Sequence, residues 1–296
     1  MMNRVLRLLI VDDLENWRYS LRLQFEQRDD IEVSEASSPE DAINKIKAKD
    51  YDLILLDLKM PLDTDGLETL SQIKQLKPQA HVIMMSAYGD IPKAVEAMKR
   101  GALDFVPKEA DFDNVIAYKT DEFIRTKHLI ADRELLIRAK YKAAQKARNP
   151  QKKGKALEQL LAALLESIEG FIEIKRDIKT STEEIDIVFR NGSRDPFWQK
   201  QGEIVLVECK NWKSQKVGKN EVVLFKEKIE NRYGRCKLGF LVCTQDFAKT
   251  LRREMLRSSK TDLLVVPING RDLHKLVLSV QRNQLLLEMV ERALLS

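Results

Sequence analysis

Two groups of residues in this chain of 296 have the types and the spacing to do chemistry. The first group sits where apolar segments end: RLLIVDD closes on Asp12 and Asp13, YDLILLDLKMP carries Asp57, HVIMMSAYG carries Ser86, and ALDFVPK ends on Lys108. Three carboxylates gathered at one edge repel one another unless a cation lies among them, and an oxygen-only donor set suits Mg²⁺. A hydroxyl and an ammonium beside them suit a phosphoryl group. The second group lies in IVLVECKNWK, residues 204–213. In a strand, Glu208 and Lys210 lean to one side while Val207 and Cys209 point to the other. Asp186, in EEIDIVFR, precedes Glu208 by 22 residues, and Glu158 lies upstream in KALEQLLAALLESI. Two carboxylates and an ammonium at one strand end can hold a divalent ion and activate a water for hydrolysis. An ordinary ion pair on an exposed strand is the alternative, and the apolar IVLV before it argues against exposure.

The elements that must position the first group alternate. Short apolar strands (RLLIV, IEVSEA, DLILLD, HVIMMS, LDFVP) are separated by helical patterns at about 14–27, 38–50, 66–76 and 91–99. Ser38-Pro39-Glu40-Asp41 supplies good cap chemistry for the second of these. Such alternation predicts a parallel sheet covered on both faces, with ligands at the carboxyl ends of its strands. All the residues of the first group fall at those ends. On these residues, 1–120 resembles a response-regulator receiver domain. The resemblance implies a phosphoacceptor role for Asp57, Mg²⁺ binding by Asp12, Asp13 and Asp57, phosphoryl contact by Ser86 and Lys108, and a rotameric switch at Phe105. Phe105 read by itself is equally well an ordinary core residue.

Residues 111–148 contain no proline or glycine and read as one long helix, so 111–150 is a helical connector that continues the last receiver helix. Ile116, Phe123, Ile130 and Ile137 recur every seven residues, a stripe that could pair with a second copy, although the companion positions Lys119, Thr126, Arg133 and Lys140 are polar. A new unit, 151–296, opens with a helix from about Gly154. Strands FIEIKRDI, EEIDIVFR and EIVLVECK suit an antiparallel meander, and a helix at NEVVLFKEKIENRYG, the strand KLGFLVCT, a helix at about 247–259 and the strand DLLVVPI extend the sheet. The C-terminal VQRNQLLLEMVERALLS is an amphipathic packing or dimer helix. The whole is α/β: a doubly wound five-stranded parallel sheet of receiver (flavodoxin-like) type, a long connector helix, and a mixed-sheet α/β domain.

Asp186, Glu208 and Lys210, with the helical Glu158 upstream, resemble the PD-(D/E)xK nuclease superfamily. VLVECKNWK, LGFLVCTQDF and LLVVPINGRDL are most similar to its Mrr-type restriction endonuclease branch, over about residues 152–278. Ile185 stands where the nominal proline would be. The resemblance implies a restriction-endonuclease-like fold, Mg²⁺ (or Mn²⁺) held by Asp186, Glu208 and the Cys209 carbonyl, a water oriented by Lys210, and Glu158 serving a second ion or an outer-shell water. It implies DNA as substrate and products with 5′-phosphate and 3′-hydroxyl ends. Trp212, Lys213, Lys216 and Lys219 follow the site, and Lys152 and Lys153 precede it; all six are candidate DNA contacts. Phe197 and Trp198 either probe a groove or cover the core, and core is preferred.

Charge supports a polyanionic partner for the back half. Residues 1–110 hold 15 Lys/Arg against 20 Asp/Glu, while 111–296 hold 36 against 26. Eight basic residues and no acid lie between Arg138 and Lys155, a run that serves either as a solvated face or as a phosphate contact. Three cysteines without a CxxC pair and three scattered histidines predict a reduced cytoplasmic setting without structural zinc. No apolar window is long enough for a membrane helix, and MMNRVLRLLIVDD reads as a first strand, not a leader. The expected protein is a two-component effector: a receiver phosphorylated by a histidine kinase or phosphotransfer protein, controlling a Mg²⁺-dependent DNA endonuclease that works as a homodimer. A noncatalytic DNA-binding regulator with a nuclease fold and a protein-interaction module are the alternatives.

Overall fold

The computed structural model describes residues 5–60, 66–87, 91–179, 183–210, 216–251 and 262–295. Trp212, Lys213 and most of the helix expected at 247–259 lie outside them. The chain divides into two compact units, Met1–His128 and Leu129–Ser296.

In the first unit, β1 (Leu6–Val11), β2 (Ile31–Ala36), β3 (Leu53–Asp57), β4 (Val82–Ser86) and β5 (Asp104–Pro107) form an all-parallel sheet in the order β2-β1-β3-β4-β5. Its strands are apolar on both faces because both faces are covered. Leu9, Val11, Ile54 and Leu56 enter one core, and Leu8, Ile10, Leu53 and Leu55 enter the other. Helices α1 (Glu15–Glu26), α2 (Pro39–Ala48), α3 (Gly66–Leu76) and α4 (Ile91–Lys99) connect the strands. The Ser38 hydroxyl accepts from Asp41 N at 3.2 Å and fixes the start of α2. Order reverses between β1 and β3, so the ends of those strands frame the crevice where such sheets bind ligands.

Helix α5 (Phe112–Lys146) runs 35 residues without a break, roughly 50 Å at 1.5 Å per residue. Its side chains serve two cores. Phe112, Ile116 and Ile124 are buried in the first unit, whereas Ile137 is fully buried in the second. The seven-residue stripe is therefore not one seam: Ile116 and Ile137 are committed to separate interiors, Phe123 is half-buried, and Ile130 between them is exposed.

In the second unit, α6 (Pro150–Leu165) begins four residues before the expected Gly154. The Asn149 side chain accepts from Gln151 N and Lys152 N, and Pro150 takes the first helical position, where a missing N–H costs nothing. Strands β6 (Phe171–Lys179), β7 (Glu184–Asn191), β8 (Ile204–Lys210), β9 (Cys236–Cys243) and β10 (Leu264–Ile268) give a mixed sheet in the order β10-β9-β8-β7-β6. The β6–β7 and β7–β8 pairs are antiparallel and the other two parallel. The loop between β7 and β8 contains a short helix, α7 (Pro196–Gln199), capped by Asp195. It drives Trp198 into the core, where the indole N–H donates to Asn283 Oδ1 at 2.6 Å. Helix α8 (Lys219–Glu230) lies on β9 so closely that a Cβ on Gly239 would stand 2.6 Å from the Phe225 ring. Among the described residues after β10 lie two helices, α9 (Gly270–Leu278), which the sequence reading did not anticipate, and α10 (Arg282–Leu294). The apolar stripe of α10 is spent on packing: Leu286, Met289 and Val290 are buried in the main core. Arg282, buried at 4% exposure, grips Glu134 of α5 with two bonds of 2.5 and 2.7 Å and donates to Leu276 O. Among the described residues no helix is long and apolar enough to cross a membrane.

Candidate phosphoryl and hydrolytic sites

The parallel sheet brings its polar strand ends together as the spacing predicts. Asp12 follows β1, Asp57 ends β3, and Lys108 follows β5. The Lys108 ammonium lies 2.5 Å from Asp12 Oδ2 and 2.7 Å from Asp57 Oδ1, with its side chain only 2% exposed. It also sits 4.9 Å from the centre of the Trp17 ring, a cation–π contact. Backbone N–H groups fill the outer oxygens: Leu14 N donates to Asp12 Oδ1 and Lys59 N to Asp57 Oδ2, both at 2.9 Å. Burial pushes the Asp57 carboxyl up, and the Lys108 ammonium opposes that push. Asp13 is half-buried, and its backbone carbonyl, like that of Asp12, accepts from Arg18. Oxygens of Asp12, Asp13 and Asp57 all lie within 4.8 Å of one another. Three carboxylates against one lysine, all hard oxygen donors, fit a divalent cation such as Mg²⁺. Ser86 is buried at the end of β4, and its carbonyl accepts from Lys108 N at 2.6 Å, which ties the end of that strand to the backbone of the lysine. Phe105 is half-buried against the core on one face of the sheet.

The second site forms where β7 and β8 run antiparallel. Ile187 pairs with Val207, so the next pair along is Asp186 and Glu208. Asp186 Oδ2 accepts from Cys209 N at 2.5 Å, which folds its carboxylate against the β8 backbone at Cys209. Glu208, 3% exposed, is held by two ammonium groups: Lys210 Nζ at 2.6 Å on Oε1 and Lys228 Nζ at 2.8 Å on Oε2. Burial and then the charge of Glu208 push the Asp186 carboxyl up to about 6. Glu158, on α6, goes up to about 7, first from burial and then from the charge and hydrogen bond of Asp177 and the charge of Asp186. Burial pulls Lys210 down, but Glu208 outweighs it and the ammonium is held above its ordinary value. Acids lifted by one another's charge gain from a dication, and Asp186, Glu208 and the Cys209 carbonyl are all hard oxygen donors that fit Mg²⁺ or Mn²⁺.

The structure thus joins Asp186, Glu208 and Lys210, and Glu158 feels the charge of Asp186. Lys216 is exposed in the loop before α8 and Lys219 is exposed at its first position, Lys152 is exposed and Lys153 half-buried in the first turn of α6. Among the described residues none of the four forms an ion pair with Asp186 or Glu208. Two site residues were missed. Asp177, in β6, reads as one polar position in a polar strand. Lys228 reads as a surface lysine in KEKIE, yet it stands three residues after Phe225 and one before Ile229, both buried, and that spacing places it on the flank turned to the sheet.

Similarity to known proteins follows the same division. A family model of the response regulator receiver domain matches residues 8–119, and one described as restriction endonuclease matches residues 151–277. The chemotaxis protein CheY of Listeria monocytogenes is 39% identical over 112 residues, which are 38% of this chain and 93% of CheY. The transcriptional regulatory protein ZraR of Escherichia coli K12 is 36% identical over 121 residues, 37% of this chain. The chain spans only 24% of the length of ZraR. Among solved structures, the response regulator domain of Thermotoga maritima CheB is 28% identical, with 41% of this chain and 96% of that one covered and a TM-score of 0.37.

Proposed function

We propose, for a chain that belongs to the response regulator receiver family and carries a restriction endonuclease domain behind the receiver, that phosphorylation at Asp57 controls Mg²⁺-dependent hydrolysis of DNA phosphodiesters. The observation that carries the reading is Asp186 accepting from Cys209 N, the residue next to Glu208, at 2.5 Å, with Lys210 2.6 Å from the glutamate. A divalent ion bound there supplies Lewis-acid stabilisation of the pentavalent transition state. Asp186, Glu208 and the Cys209 carbonyl would hold it. Lys210 orients the attacking water and meets the charge that develops on the phosphoryl oxygens. Glu158 serves a second ion or an outer-shell water beside Asp186. DNA reaches the site through the basic residues of the second half, Lys152, Lys153, Lys216 and Lys219 with Trp212 and Lys213, which supply sequence-independent phosphate contacts.

In the receiver, residues 1–120, a histidine kinase or phosphotransfer protein donates the phosphoryl group. The Asp57 carboxylate attacks phosphorus as the bond from phosphorus to the donor's histidine nitrogen breaks, Asp12, Asp13 and Asp57 would hold Mg²⁺, and Lys108 releases Asp57 Oδ1 to contact the phosphoryl oxygens. Ser86 and then Phe105 follow, and the change is passed along the helical segment 111–150 to the domain at 151–296. Cutting both strands requires two sites, which a homodimer provides. The test is cleavage of supercoiled plasmid with Mg²⁺, wild type against Lys210→Ala, with and without a small-molecule phosphodonor. Cleavage lost in Lys210→Ala, with a donor effect abolished by Asp57→Ala, is the expected result. DNA binding without cleavage in wild type would turn the reading to a noncatalytic DNA-binding regulator.

A further inference from the structure

Glu208 is more heavily countered than its proposed role requires. A buried carboxylate beside Asp186 needs one compensating charge, and Lys210 already supplies it from the same strand. Lys228 adds a second from α8, 2.8 Å from the other oxygen and with its side chain 16% exposed. The two ammonium groups lie on the wall of a cleft of about 370 Å³ that is otherwise rich in acid, with Glu183, Glu184, Glu221 and Glu227 lining it. Glu183 is paired with Arg232 and Glu184 with Lys179, and the two lysines are where a phosphodiester reaching that wall finds an ammonium. A dication approaching Glu208 meets the opposite field: each oxygen already faces a positive charge, and the dication and the ammoniums repel one another at contact distance.

We infer that Lys228 is a positioning residue that makes cation binding at the nuclease site depend on DNA: its ammonium opposes the dication at Glu208 until a backbone phosphate draws that ammonium away. This rests on the nuclease reading for the identity of the polyanion. It assigns the two lysines different work. Lys210 remains with the attacking water, while Lys228, on a separate element with a long stem, exchanges one anion for another.

The experiment measures Mn²⁺ binding by electron paramagnetic resonance on the full chain carrying Asp12→Asn and Asp57→Asn, so that the receiver contributes no ion. Glu208→Gln in that background identifies the ion held by the nuclease site. The expected result is about tenfold tighter Mn²⁺ binding in Lys228→Met without DNA, with Lys228→Arg unchanged. A short duplex tightens binding about tenfold in the Lys228 protein and less than twofold in Lys228→Met. Lys228→Gln, which keeps a hydrogen-bond donor without the charge, repeats the measurement if the methionine variant melts below the assay temperature. Equal or weaker Mn²⁺ binding in the uncharged variants overturns the inference even if plasmid cleavage establishes the nuclease. Mn²⁺ binding insensitive to Glu208→Gln overturns the metal site itself, and with it the nuclease reading.

Discussion

Where β1 and β3 end, one lysine holds two carboxylates; where β8 ends, two lysines hold one. The receiver site has Asp12, Asp13 and Asp57 against Lys108, a standing surplus of negative charge with Asp12 and Asp57 buried. Such a site wants a cation whether or not anything else is bound. The nuclease site concentrates its positive charge on Glu208 and leaves Asp186 and Glu158 lifted by burial and by other acids. The same residue types therefore serve opposite purposes. On the proposed reading, one arrangement stays ready for a small phosphodonor and the other waits for a polymer of phosphates.

The comparison can be broken most sharply at Asp57 and Glu208. Asp57→Asn should abolish phosphorylation by a small-molecule donor, read on a phosphate-affinity gel, and leave any basal cleavage in place. Glu208→Gln should lower plasmid cleavage by on the order of 10³-fold while phosphorylation of Asp57 proceeds. A loss of both reactions from either single change would show that the sites are not separable. Lys108→Met should destabilise the first unit by about 3–5 kcal/mol, because two buried carboxylates lose their shared partner. Added Mg²⁺ should recover much of that loss, since only the folded receiver binds it, and calorimetric melting checks both. Lys228→Met should cost far less, because Glu208 keeps Lys210.

The smallest effect is one of pH. Glu158 at about 7 and Asp186 at about 6 bind protons more readily in the folded chain than carboxyls in water do. Protons compete with the cation, so Mn²⁺ affinity at the nuclease site should fall about tenfold between pH 7.5 and 6. Folding stability responds with the other sign: the raised carboxyls cost stability above their folded pKa, and that cost shrinks as pH falls through about 7 to 6. An affinity flat across that range would mean that neither acid faces the ion.

What the sequence made legible was whatever repeats at short range. Strand ends at Asp12, Asp57, Ser86 and Lys108 were readable because a parallel sheet delivers every carboxyl end to one edge. The pairing of Asp186 with Glu208 followed from the hairpin-like connection between their strands. Lys228 was not readable, because twenty residues and a change of element separate it from Glu208, and a lysine beside acids on a helix is usually solvated. Helix α7 was missed because four residues give no period, and the early start of α6 because a proline after an asparagine serves equally as a break or as a first turn. The stripe along α5 misled for a physical reason. A seven-residue repeat counts apolar positions without saying which interior each one enters.

That last helix also bears on how such proteins are assembled from parts. Residues 129–146 look like the stalk of one module, yet Ile137 plugs the interior of the other, and Glu134 neutralises a guanidinium that has almost no access to solvent. A graft that begins the effector at residue 151 would leave Arg282 charged and unanswered inside it. Any exchange of sensors on this scaffold must therefore cut near residue 129, in the middle of an unbroken helix, where the new sensor inherits the pitch as well as the chain.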